Sequence, residues 1–312
     1  MWEKDEAKVA QIRELRAQFP NDMLVWLDVA RNLSEPETVN GVTRWVDEWG
    51  TGWADDGHGA KPDVHPLAGG YELLEGYAFP DPALPGRFAE ADKRLEGRGD
   101  RYAQSVVWFT LFERLWLLRG FENMLMDPYL NGGAFEKLRD RVVAYNLAII
   151  DQWVARGVDA VFFSDDWGSQ RGLLISPDDW RKFYKPAYKA MFDRVRAGGA
   201  HVWMHLCGNI IPILPDLIDL GLNVLNPVQP QAMDVHLLAR EFGGSVCFNG
   251  GVDVQGTMVH GSPEDVRREL HTLVELFGSH NGGYIADTSH TIMPETPLDN
   301  VIALFEALLE YH

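Results

Sequence analysis

The sequence predicts an α/β protein, a (β/α)8 TIM-type barrel with an irregular N-terminal region, in one domain over residues 1–312. Two observations carry that expectation. From Tyr102 onward, short apolar runs rich in β-branched or aromatic residues alternate with longer segments of helical period. Strands that read as continuous apolar runs are buried on both faces, and that demands a parallel sheet covered by helices. The rival is an open doubly wound sheet, but no G-x-G-x-x-G loop follows any of these strands.

Residues 1–101 read as irregular. They combine a charged amphipathic start (Lys4 to Phe19), a Trp-rich stretch (Trp45 to Trp53) and a Gly/Pro/His/Asp segment (Asp55 to Pro85) that reads as loops. Trp45, Trp49 and Trp53 are spaced four apart, which at helical period makes one core-packing stripe. Over 102–312 the predicted strands are Ser105 to Thr110, Ala160 to Ser164, His201 to His205, Val224 to Pro227, Val246 to Asn249 and Gly283 to Ala286. The predicted helices are Phe135 to Arg156, Asp178 to Ala197, Ile213 to Leu220, Val235 to Phe242, Pro263 to Phe277 and Pro297 to Tyr311. Ser176-Pro177-Asp178 and Ser262-Pro263-Glu264 each place a capping hydroxyl before a first-turn proline and acids. Glycines 157, 198 and 221 close helices. Asp22 to Asp28 and Val42 to Val46 are the candidates for the two strands that would complete eight.

The formal charge of -18 repels phosphate backbones and anionic lipid, so nucleic acid is excluded as an expected partner. The longest uncharged stretch, Ala197 to Pro215, is broken by three glycines and two prolines and reads as no membrane span. The N-terminus has charges from its third residue and no apolar signal core, which predicts a cytoplasmic protein. Cys207 and Cys247 are too few for a disulfide scaffold, and Cys247, inside Val246-Cys247-Phe248, reads as a small core residue.

In such a barrel the chemistry lies just after each strand. Those positions are polar here: Ser164-Asp165-Asp166, His205-Leu206-Cys207-Gly208, Asn226 to Gln229, Asn249 to Asp253, and Asp287 to His290. His205 and Cys207, two apart on an extended segment, point to the same side and can reach one ion. Thiolate with imidazole favours zinc, and His290 at another strand end is the expected third ligand. Asp165 and Asp166 are adjacent, so one can face the barrel axis and act as a catalytic carboxylate while the other faces away. Asn226, Gln229, Asn249 and Asp253 are the candidate substrate-binding groups.

From about Gly120 onward the chain resembles the uroporphyrinogen decarboxylase superfamily, which includes zinc- and corrinoid-linked methyltransferases. The resemblance rests on Ala155 to Trp167, Ile175-Ser-Pro, His205-Leu-Cys-Gly-Asn, Gly221 to Gln229, Gly250-Gly-Val-Asp-Val-Gln and Thr296-Pro-Leu-Asp-Asn, in that order. It implies the barrel, a zinc ion held by an H-x-C motif and a later cysteine, and a corrinoid protein as methyl partner. His205 and Cys207 match the first two ligands, and His290 stands where the later cysteine is expected. Decarboxylase members also carry a histidine there, with a catalytic aspartate for which Asp47 is the nearest counterpart. Their N-terminal R-Q-x-G-R signature is missing, since Arg13 and Arg16 do not reproduce it. The resemblance therefore implies a zinc-dependent methyltransferase acting on a small methylated substrate with a corrinoid protein. The alternatives are a decarboxylase and a non-catalytic binding barrel.

Overall fold

Strand-forming runs separated by amphipathic helices pack here as two compact units in a computed structural model, which describes residues 10, 14–15, 17–19, 22–280 and 283–311. Arg13 and Arg16 lie outside the described residues, as does most of the segment from Lys4 to Phe19.

One unit comprises Met23–Asp165 with Asp178–His201. Its parallel strands are β1 (Met23–Leu27), β6 (Tyr102–Val107) and β7 (Ala160–Ser164), ordered β1-β6-β7. Between β1 and β6 the chain folds an antiparallel sheet of β2 (Glu37–Val39), β3 (Val42–Val46), β4 (Gly52–Asp55) and β5 (Ala60–Val64). Helices α1 (Ala89–Glu96), α2 (Phe112–Arg119), α3 (Phe121–Leu130) and α4 (Gly132–Ala155) follow, then α5 (Pro177–Phe183) and α6 (Lys185–Ala197). Trp153, Phe135, Phe163, Tyr188 and Phe192, all fully buried, fill the space between sheet and helices.

The other unit comprises Asp166–Pro177 and the chain from Val202 on, together with the stretch up to Asp22. A two-residue ladder, β8 (Gly168–Ser169) with β9 (Gly172–Leu173), precedes four parallel strands: β10 (His201–His205), β11 (Val224–Val228), β12 (Cys247–Val252) and β13 (Tyr284–Thr288). They pair in chain order. The connections carry α7 (Leu214–Leu220), α8 (Val235–Phe242), α9 (Thr257–His260) and α10 (Pro263–Gly278), and α11 (Leu298–Leu309) closes the chain. Ser262 and Asp265 form the reciprocal cap expected at the start of α10.

All six strands predicted after Tyr102 form, as does the one in Asp22 to Asp28. Val42 to Val46 is a strand too, but it pairs antiparallel in the separate sheet and does not belong to the parallel set. Among the described residues seven strands therefore run in parallel ladders, three in one unit and four in the other, where a closed barrel needs eight. The segment Asp55 to Pro85, read as loops, contributes β5 and a short 3-10 turn at Tyr71–Glu75. The long helix predicted over Asp178 to Ala197 is two helices that break at Tyr184, because Pro186 fits only the first turn of the second. The tryptophan stripe is not helical: Trp45 on β3 lies directly opposite Trp53 on β4, with parallel indoles 6.3 Å apart. No helix among the described residues is long and apolar enough to cross a membrane.

Candidate metal centre

Strand β10 ends at His205, and an extended step to Cys207 puts both donors on one side, as the spacing predicts. Cys207 Sγ lies 3.2 Å from His205 Nε2. His290, two residues beyond β13, brings its ring centroid to 5.8 Å from that of His205. The donor atoms of His205, Cys207 and His290 all fall within 4.8 Å of one another. Strands β10 and β13 are three strand gaps apart in the ladder β10-β11-β12-β13, and three flat gaps would separate them by about 14 Å. The close approach requires curl of the sheet and inward reach of both imidazoles.

Gly208 follows with φ +82, and a Cβ on it would run into the backbone of Gly168. Segments 168–169 and 207–209 cross there, joined by Gly168 N–H to the Cys207 carbonyl (3.1 Å) and Asn209 N–H to the Ser169 carbonyl (2.8 Å). Glycine is needed at Gly208 for both the left-handed turn and the crossing.

Behind His205 runs a line of amides across the four strands. Asn249 Nδ2 donates to the Ile285 carbonyl (3.1 Å), Asn226 Nδ2 donates to Asn249 Oδ1 (2.5 Å), and Asn226 Oδ1 faces His205 Nδ1 at 2.7 Å. A backbone carbonyl can only accept, so the direction of every amide in the line follows from Ile285. Asn226 must present its oxygen to His205, which fixes the proton on Nδ1 and turns the Nε2 lone pair towards Cys207. Metal-binding histidines are held by such outer hydrogen bonds. The protonated form of His290 is disfavoured by burial and then by the neighbouring His205, with Asp166 opposing. A neutral imidazole is the form that ligates.

The donor chemistry fits zinc: two imidazole nitrogens and one sulfur make three protein ligands and leave a fourth position for substrate. Zinc bonds of about 2.0–2.3 Å at tetrahedral angles put donors roughly 3.3–3.6 Å apart; the His205–Cys207 pair at 3.2 Å already stands near that spacing, and the widest pair, within 4.8 Å, would draw in.

The carboxylates predicted for catalysis separate. Asp166 belongs to the centre: its Oδ1 accepts from the Cys207 N–H at 2.8 Å and lies 3.7 Å from His205 Nε2, with 39% of the side chain exposed. Asp165, fully buried, instead accepts from the N–H groups of Leu111, Phe112 and Glu113 (3.1, 2.9 and 2.7 Å) and from the Tyr188 hydroxyl. It anchors the start of α2, where the helix dipole favours an anion. Asp47 accepts from Trp49 N–H and Thr51 N–H (both 2.9 Å), Trp53 Nε1 (3.2 Å) and Arg114 Nη1 (3.2 Å). It holds the β3–β4 turn rather than ending a parallel strand.

The candidate substrate groups are mostly engaged with the protein. Asn226 and Asn249 form the amide line, and Gln229 Oε1 accepts the Gly208 N–H at 2.6 Å. Asp253 accepts from Gln231 Nε2 (2.7 Å) and Gln255 N–H (2.9 Å). The Asp165 anchor and the amide line were not foreseen, because each depends on neighbours that only folding brings together. Cys247 opens β12, and burial pushes its thiol up to about 11.

A curled parallel sheet with histidine and thiol donors at its carboxyl edge places the chain among α/β proteins. The sequence profile described as uroporphyrinogen decarboxylase (URO-D) matches residues 109–311, and the chain belongs to that family. A uroporphyrinogen decarboxylase of Chlorobaculum tepidum is 27% identical over 190 residues, covering 60% of this chain and 51% of the relative. The methylcobamide:CoM methyltransferase MtaA of Methanosarcina barkeri is 25% identical over 178 residues, covering 57% and 49%. The chain thus spans about half the length of these curated relatives. A solved methyltransferase from Methanosarcina mazei shares the fold, with a TM-score of 0.67 at 21% identity over 85% of this chain and 76% of that one.

Proposed function

We propose that this URO-D family chain is a zinc-dependent methyltransferase of the (β/α)8 type that acts on a small methylated substrate with a corrinoid protein as methyl partner. The observation that carries the reading is the cluster of His205, Cys207 and His290 donors within 4.8 Å, with the His205 tautomer set by the amide line. The matches to proteins named as methyltransferases support it, and the word methylcobamide in one of those names supports the corrinoid.

Zinc held by these three residues supplies Lewis-acid polarisation of a substrate oxygen, nitrogen or sulfur. The chain's own residues do the rest. Asn226 and Asn249 keep His205 in the ligating form. Asp166, anchored through the Cys207 N–H, is the carboxylate that holds or accepts a substrate proton. Gln229 fixes the Gly208 turn through its oxygen and offers its Nε2 donor to substrate. Asp47 and Asp165, tied up by four donors each, serve as anchors.

The test is elemental analysis joined to two assays. We expect about one zinc per chain, lost in Cys207→Ser, and methyl exchange between methylcobalamin and a thiol that needs the metal. A metal content unchanged by that substitution would overturn the ligand set. Efficient loss of carboxyl groups from uroporphyrinogen, with no exchange with methylcobalamin, would replace the methyltransferase with a decarboxylase.

A further inference from the structure

Four asparagines precede a glycine in this chain: Asn40, Asn131, Asn249 and Asn281, the last outside the described residues. Such a pair is chemically fragile, because glycine carries no side chain to shield its backbone nitrogen from the asparagine Cγ. When that nitrogen bonds Cγ, the Cγ–Nδ2 bond breaks and Nδ2 leaves as ammonia, taking the glycine's proton. A five-membered imide remains. Water then opens it at either carbonyl, giving aspartate or, with the main chain rerouted through Cβ and Cγ, isoaspartate. The ring closure needs a side-chain amide free to turn and a backbone free to bring the nitrogen to it.

Of the three described pairs, the fold leaves one free in both respects. Asn249 is buried, and its amide is held at both ends in the line behind His205. Asn131 donates through Nδ2 to Asp127 Oδ1 (2.8 Å), and its carbonyl accepts from Ala134 N–H and Phe135 N–H (2.8 and 2.9 Å) as α4 begins. Asn40 lies in the exposed two-residue turn between β2 and β3, with φ of 52°, and Gly41 follows with 79°. Both values suit a type I′ hairpin. The Asn40 side chain has no hydrogen-bond partner among the described residues, and a Cβ on Gly41 would meet nothing within 4 Å. Strand β2 is three residues long, exposed throughout, and the edge of its sheet. So short an edge opens locally at little cost, whereas the start of the 24-residue α4 and a central strand such as β12 open only with much of the fold.

We propose that Asn40 is a site of spontaneous covalent modification, converting to isoaspartate and aspartate in the folded protein with water as the only co-reactant. Isoaspartate adds a main-chain atom to a turn built for two ordinary residues. The facing pairs Val39 with Val42 and Thr38 with Thr43 then lose register, and with them the 2.8 Å contact between the two threonine hydroxyls. Either product also adds a negative charge. The proposal stands apart from the metal centre, and its test needs neither metal nor methyl donor.

The experiment ages the full chain in neutral buffer and follows each Asn-Gly peptide by mass spectrometry, beside a sample unfolded in guanidinium chloride. Asn40 should convert at least about tenfold faster than Asn131 or Asn249 in the folded chain, and the three rates should converge in the unfolded one. Hydrogen exchange over β2 and β3 should quicken as Asn40 converts. Asn40→Gly keeps a type I′ turn but has no amide to lose, so its hydrogen exchange should not change with age. The proposal would be overturned if Asn40 converted no faster than Asn131 or Asn249, or if folding slowed all three alike. Exchange over β2 that ignores the conversion, or that quickens equally in aged Asn40→Gly protein, would overturn it too.

Discussion

Cys207 and Cys247, forty residues apart, are both half-buried but differ in their neighbours, since His205 and Asp166 stand against Cys207. Burial pushes Cys247 up to about 11, so at pH 8 only roughly one thiol in a thousand is ionised. We expect iodoacetamide at that pH to label Cys207 first, and added zinc to slow that labelling alone, as read by peptide mass spectrometry. Faster labelling of Cys247 would contradict the assigned environments. The His205 amide line makes a second prediction. Asn249→Leu removes the acceptor of Asn226 and lets the imidazole turn, so zinc affinity measured by chelator competition should fall about ten- to hundredfold. An unchanged affinity with a normal thermal melt would show that the line does not position His205. At this scale the H-x-C spacing was legible because strand alternation alone places the two side chains. The amide line was not, because it needs the registers His205 to Asn226 and Asn249 to Ile285 at once. Asp165 and Asp166 were legible as a pair with divided roles, but which faced the centre depended on where α2 begins.

Helices α2 and α3 meet at an ion pair that burial makes sensitive to acid. Asp127 accepts from Arg119 Nε at 2.8 Å, from the Tyr71 hydroxyl at 2.8 Å and from Asn131 Nδ2 at 2.8 Å, and both charged side chains are nearly inaccessible. Burial alone would raise the Asp127 pKa, but the Arg119, Asn131 and Tyr71 hydrogen bonds outweigh it and hold the carboxyl below its usual range. A carboxyl depressed in the folded state adds stability above its unfolded pKa of about 3.9, and loses it as the pH falls through the folded value. We expect Asp127→Asn to cost on the order of 3 kcal/mol at pH 7, because it leaves Arg119 buried and unpaired. The penalty relative to wild type should shrink below about pH 4 in urea titrations. A penalty constant from pH 7 to pH 3 would mean that the pair carries no charge-dependent stability. The helices were read to within a few residues where glycine and proline mark their ends. The antiparallel sheet was missed because Trp45 and Trp53, eight apart and facing each other across the hairpin, together with Trp49 in the turn between them, mimic a helical spacing of four.

Across the whole molecule, each unit is assembled from separate stretches of chain, and the family match covers residues 109–311 only. The sequence showed regular alternation after Tyr102 and irregularity before it, and this division does not follow the units. One strand from the irregular part, β1, pairs in parallel with β6 through Met23 to Tyr102 and Leu24 to Ala103. The apolar pattern of Met23–Leu27 is short and gives no sign of a partner some eighty residues on. That pairing carries a consequence for the chain's solubility. Strand β6 is buried along Ala103 to Val107, and β1 covers one of its two hydrogen-bonding sides. A chain shortened to begin at Tyr102 would present that side bare, as a template on which another copy can add a strand. We expect such a shortened chain to self-associate in light scattering at micromolar concentration, even with His205, Cys207 and His290 still present. A monodisperse, folded product would show that β6 guards its own edge without help from β1.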